Sequence, residues 1–99
     1  MAAVIVTELT VLDQDAFETY RTHAAKAIAA YGGRYVARGG EIQTLEGAWQ
    51  PSSILVVEFS SIEQARAWYN SAEYAPALAV RDAALSRNLI IVESYQENA

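Results

Sequence analysis

The chain has no cysteine. Disulfides, thiolate metal sites and cysteine nucleophiles are therefore excluded, and a reducing or redox-indifferent compartment is implied. Glycine and proline are scarce, at 5 and 2 residues, which excludes collagen-like and linker-rich architectures. Basic residues are in deficit, 7 against 12 acidic, and the net charge of −5 argues against a nucleic-acid-binding surface. Long apolar runs are missing as well. Runs such as Ile54 to Val57 and Leu89 to Val92 are short, and a membrane span needs about 20 such residues. The opening segment has no basic region and meets Glu8 before an apolar core of signal length develops. The expectation is a soluble, cytoplasmic protein with neither membrane nor nucleic acid as a partner.

What is present is apolar: 53% of the 99 residues are hydrophobic and 19% are charged, which excludes disorder. The length allows a single domain covering residues 1–99. Val4 to Val11 is rich in β-branched residues and reads as a strand. Asp13 and Asp15 follow, where a helix N-terminus favours carboxylates. Phe17, Tyr20, Ala24, Ala27, Ile28 and Tyr31 then recur at helical spacing, and Gly32-Gly33 ends that helix. Arg34 to Leu45 reads as a second strand, bulged or bent at Gly39-Gly40. A connection through Glu46 to Pro51 leads to a third strand, Ser53 to Phe59. Ser60 or Ser61, answered by Glu63 or Gln64, has capping-box spacing before a helix through Trp68 and Tyr69. At least one of these two aromatics is expected in the core. Asn70-Ser71 breaks that helix, Pro76 suits the first turn of the next, and Asn88 to Tyr95 reads as the last strand.

The order is β-α-β-β-α-β, with the second helical region in two pieces. This is the pattern of an α+β, ferredoxin-like sandwich with an antiparallel four-stranded sheet. Within it, the first and third strands are expected as parallel neighbours at the centre. The strands are apolar on both faces, as in Ile54-Leu55-Val56-Val57 and Leu89-Ile90-Ile91-Val92. Helices in so small a domain cover only one face. The simplest cover for the other is a second copy, giving a homodimer packed sheet to sheet. The alternative is a monomer with an exposed apolar patch, which is uncommon.

Three strands share one further pattern: Val4-x-Val6-x-Glu8, Ile54-x-Val56-x-Glu58 and Leu89-x-Ile91-x-Glu93. With parallel central strands, Glu8 and Glu58 meet at one end of the sheet, where the second strand delivers Arg34 and Arg38. Two carboxyls beside an arginine could divide acid and base roles, with Glu8 and Glu58 catalytic and Arg38 holding a substrate's acidic group. The more ordinary alternative is a set of ion pairs that rims the dimer interface and fixes its register.

Tyr31-Gly32-Gly33-Arg34 with the following Arg38-Gly39-Gly40, Glu46-Gly47, Glu58-Phe59 and Trp68-Tyr69-Asn70-Ser71-Ala72-Glu73-Tyr74 resemble, in order, the motifs of the domain of unknown function 1330 family. Arg81 and Val92-Glu93 match as well, so the resemblance spans nearly the whole chain. Ala72 stands where that family usually carries proline. The resemblance implies a ferredoxin-like fold of the dimeric α+β barrel superfamily, in which two sheets close a barrel across a two-fold axis. That superfamily holds cofactor-free monooxygenases, haem enzymes, lactone isomerases and proteins without an assigned role.

Tyr74 and Arg81, seven residues apart on one helix, form a second candidate substrate-binding pair. Arg81 could clamp a ligand carboxylate or pair with Glu46, Glu73 or a chain terminus. His23, the sole histidine, could be a base or a haem ligand, although a lone helical histidine is more often a boundary residue. No zinc set exists without a second histidine or a cysteine, so neither metal nor cofactor is expected. Glycine-rich phosphate loops and a serine triad context are absent. The third strand lacks the aromatic and basic residues of an RNA-binding sheet. Three readings stand: a cofactor-independent enzyme acting on a small organic acid or carbonyl compound, a non-catalytic ligand-binding module, and a structural dimer.

Overall fold

Strand β1 (Ala3–Val11) alternates buried and half-buried residues from Ala3 to Leu9. Ala3, Ile5, Thr7 and Leu9 face the helices, while Val4, Val6 and Glu8 face the other side of the sheet. The computed structural model describes residues 1–95. Helix α1 (Gln14–Ala30) starts where the Asp13 side chain accepts the Ala16 amide at 2.9 Å. Strand β2 (Arg34–Arg38) and strand β3 (Ser53–Phe59) are joined by a long irregular segment. Helix α2 (Ile62–Tyr69) is capped by Ser61, whose hydroxyl accepts the Gln64 amide at 3.0 Å. Helix α3 (Ala75–Ala84), with Pro76 in its first turn, passes directly into strand β4 (Leu85–Glu93).

The sheet order is β2-β3-β1-β4, and every neighbouring pair is antiparallel. This corrects the expected parallel pairing of the first and third strands. The crossover through α1 makes β2 run with β1. The connection to β3 then reverses direction, so β3 lies between two strands that both oppose it. Strand boundaries move as well, and the last strand ends at Glu93 rather than Tyr95. The second strand stops at Arg38, where Gly39 takes φ +67, so Gly40 to Leu45 lies outside it. The last strand begins at Leu85, three residues before Asn88, because α3 turns into it without a loop.

All three helices pack on one face, and the core forms there from Ile5, Leu9, Ile28, Val57, Phe59, Trp68 and Tyr74 with small alanines. Trp68 is buried between Phe59, Tyr69 and Tyr74, as expected for one of the two helix aromatics. On the opposite face Ile90 is 57% and Val92 45% exposed, so the two-sided apolar pattern is real and its second side is uncovered in the single chain. Among the described residues, no helix is long and apolar enough to cross a membrane.

Gly33 lets the turn after α1 close onto the core. A Cβ there would stand 2.7 Å from Phe59 and 2.8 Å from Ile28, closer than carbon atoms pack. Gly33→Ala is expected to cost about 1–3 kcal/mol through overpacking. Urea unfolding checks this, and an unchanged midpoint would contradict the close approach.

Candidate functional site

The expected meeting of Glu8, Glu58 and Arg38 does not form. Both carboxylates do lie on the open face, but antiparallel pairing sets Glu58 opposite Val4 and Glu8 opposite Ile54. They are four ladder positions apart, about 13 Å along the strand. Each has its own partners. Arg34 pairs with Glu58 at 3.0 Å. Glu8 accepts the Trp49 indole N–H at 2.9 Å and the Asn88 amide at 3.3 Å. Arg38 is on the other side of the sheet. A bulge between Tyr35 and Ala37 shifts the pairing by one, so Arg34 opposes Glu58 while Arg38 opposes Leu55. In a regular strand these two arginines would share a face.

The bulge delivers Arg38 to a cavity of about 400 Å³ between α1 and the sheet. That volume is within the usual range for small-molecule sites. Ile5, Leu9, Phe17, Leu55, Val57 and Leu89 make its walls apolar. Arg21 and Arg38 are exposed residues on its lining, and Arg87 is a half-buried one. No aspartate or glutamate lines it. Arg38 lies 4.5 Å from the Tyr35 ring centroid, a cation–π contact that fixes its direction. Burial pushes the Tyr35 hydroxyl above its ordinary range, against the opposing charges of Arg38 and Arg21. Trp68 also lines the cavity, and its buried indole N–H has no partner among the described residues.

At the inner wall, three side chains from α1, the start of α3 and β4 converge. The Tyr20 and Tyr74 hydroxyls are 2.5 Å apart. Arg87 Nη1 donates to Tyr74 at 2.9 Å and also to Tyr20. Burial, reinforced by Tyr74, raises the Tyr20 hydroxyl far above its ordinary value, with Arg87 opposing. Burial also works against the charge on Arg87, but the two tyrosines outweigh it and its affinity for the proton is raised. The cluster is thus a neutral hydroxyl pair held against a permanent cation.

Tyr74 is fully buried in this cluster and stands just before α3. Arg81 is directed elsewhere. It pairs with Asp82 at 3.3 Å and lines a larger, more open cleft with Arg66, Tyr69 and Arg87. The proposed Tyr74–Arg81 pair therefore does not share one pocket. His23 is half-buried on α1. Among the described residues, no group of three or more histidine, aspartate or glutamate side chains could hold a metal ion. Tyr20, Tyr35, Arg21 and Arg87 were not singled out from the sequence. Tyr20 was visible as a member of the α1 stripe, whereas Arg87 sits in a strand with no motif to mark it.

The raised Tyr20 hydroxyl ties stability to alkaline pH. In the unfolded chain Tyr20 ionises near the ordinary tyrosine value of 10.0, whereas in the folded chain it stays protonated well beyond that. Its contribution is complete below pH 10 and is lost progressively as pH rises above it, at up to about 1.4 kcal/mol per pH unit. Urea midpoints measured at pH 8 and pH 10.5 are expected to show this fall, and Tyr20→Phe is expected to reduce the pH dependence. An equal fall in the variant would show that Tyr20 is not so held.

Comparison with solved structures finds the same fold in proteins of low sequence identity. A protein of unknown function from Rhodopseudomonas palustris aligns with TM-score 0.77 at 16% identity, covering 96% of this chain and 83% of that one. SnoaB, a cofactor-independent oxygenase from Streptomyces nogalater, aligns with TM-score 0.68 at 14% identity over 96% and 94%. A dimeric ferredoxin-like protein of unknown function from Thermobifida fusca aligns with TM-score 0.63 at 18% identity over 95% and 92%. No curated protein matches the sequence significantly. The family model for the domain of unknown function DUF1330 matches residues 2–95. With its motifs in order along an antiparallel ferredoxin-like sandwich, the chain belongs to the DUF1330 family.

Proposed function

We propose that the protein is a homodimer whose helix-side cavity binds a small organic anion with an apolar body. The observation that carries this reading is the lining of the cavity. A chain with 7 basic and 12 acidic residues brings three arginines, and no carboxylate, to one apolar pocket. Among the described residues, Arg38 and Arg87 have no carboxylate partner. A guanidinium in a partly dry space gains most from a bidentate oxyanion. The apolar walls then take the remainder of the ligand. Catalysis on such a compound without a cofactor is the second reading. It is favoured by the buried Tyr20–Tyr74–Arg87 cluster at the cavity wall and would require turnover that depends on that cluster.

The open sheet face supports the dimer. Val4, Val6, Ile54, Val56, Ile90 and Val92 form an apolar area with Glu8 and Glu58 at opposite ends. Such an area on a soluble chain calls for cover, and a second copy presents the same surface across a two-fold axis. The total buried area is expected at about 1,200–2,000 Å². Light scattering at micromolar concentration should give twice the chain mass. Val56→Asp, which places an unpaired charge at the centre of the face, should give the monomer mass or aggregate. A monomeric wild type would overturn the assembly.

Anilinonaphthalene sulfonate, an apolar anion, is a suitable probe for the cavity. It should bind saturably at one site per chain and fluoresce. Arg38→Gln should weaken binding about tenfold, the loss of one charge-assisted hydrogen bond. Leu55→Trp, which fills the cavity, should abolish it. Unchanged binding in both variants would place the probe elsewhere and contradict the reading.

A further inference from the structure

The Tyr20–Tyr74–Arg87 cluster leaves one hydroxyl proton without an internal hydrogen bond. Arg87 Nη1 donates to both tyrosine oxygens, and the two oxygens share one hydrogen bond between them. One tyrosine proton fills that bond. The other has no protein acceptor among the described residues. Two arrangements are open. If Tyr20 donates to Tyr74, the spare proton is on Tyr74, which is 0% exposed and lines neither cavity. A buried donor without a partner is costly. If Tyr74 donates to Tyr20, the Tyr74 oxygen is satisfied and the spare proton belongs to Tyr20, which lines the cavity. The Tyr20 oxygen then accepts from Tyr74 and Arg87, filling both its lone pairs. Its single remaining capacity is to donate into the cavity.

We propose that Tyr20 is the hydrogen-bond donor that the cavity presents to a ligand oxyanion, selecting phenolates and enolates on an apolar body. The proposal rests on the reading of the cavity as an organic-anion site and adds the group that recognises the oxygen. Both acceptor positions of Tyr20 are occupied by donors, one of them cationic. Each polarises its O–H bond and makes it a stronger donor. Arg87, which also lines the cavity, uses Nη1 for the two tyrosines. A site of donors with no carboxylate stabilises negative charge on oxygen, whether resident on a bound phenolate or developing on an enolised carbonyl.

The test uses para-nitrophenol, whose colour reports its own ionisation. Its displacement of anilinonaphthalene sulfonate shows that it occupies the cavity. When bound to the wild-type protein, its ionisation midpoint is expected to fall by about one pH unit, a tenfold preference for the phenolate. Tyr20→Phe should remove most of that shift. Tyr74→Phe, which deletes a hydroxyl from the same cluster but leaves the Tyr20 proton in place, should keep most of it. A shift retained in Tyr20→Phe, or lost equally in both variants, would overturn the assignment while leaving the cavity reading intact. Failure of para-nitrophenol to displace the probe from wild type would overturn the selectivity, and failure of the probe itself to bind would overturn the cavity reading. Should Tyr20→Phe not fold, incorporation of 3-fluorotyrosine at position 20 keeps the hydroxyl and makes it more acidic. The shift should then grow, and an unchanged shift would contradict the proposal.

Discussion

The hydrogen-bonded contact between two tyrosine hydroxyls and one guanidinium organises the helix side of this fold. Tyr20 is on α1, Tyr74 at the start of α3 and Arg87 on β4. A hydroxyl or guanidinium buried without partners is costly, so removing any one member strands the others. The cluster therefore fixes how α1 and α3 lie together over β4. It also fixes the inner wall of the cavity, because Tyr20 and Arg87 line it and Tyr74 holds them from behind. The Tyr20–Tyr74 edge-to-face contact and the rings of Trp68 and Tyr69 around Tyr74 surround it with apolar surface. That low-polarity surround strengthens the hydrogen bonds and raises the cost of breaking them.

Much of the architecture was legible because the local chemistry is unambiguous. Asp13 and Ser61 cap the helices they precede, and Pro76 occupies the first turn of α3. The apolar stripe from Phe17 to Ile28 is the buried face of α1. The doubled apolar pattern of β3 and β4 correctly marked a face that the helices leave bare. The family motifs gave the fold independently, and the match over residues 2–95 agrees with them.

The candidate site was less legible, for two physical reasons. Strand direction follows from the crossover and the turn together, so placing Glu8 beside Glu58 failed once β3 was read as parallel to β1. The position of Arg38 depends on a bulge at Val36, where no glycine or proline signals an irregularity. The glycine pair that did suggest a bend, Gly39-Gly40, ends the strand instead. Arg38, expected beside both carboxylates on the open face, lies instead on the helix-side cavity, away from them. Arg87 escaped notice because one arginine in an alternating strand looks like any solvated residue.

The two faces of the sheet thus divide the chemistry. The open face has carboxylates at its ends, each already satisfied by a neighbour, and an apolar middle suited to a second copy. The helix-side cavity has three arginines and no carboxylate on its lining. The most direct test of that division is backbone and side-chain NMR mapping with naphthoate, an apolar carboxylate. The account requires the largest shifts at Tyr20, Arg38, Leu55 and Arg87. Shifts concentrated instead at Arg34, Val56 and Ile90 would put the ligand on the open face and contradict it.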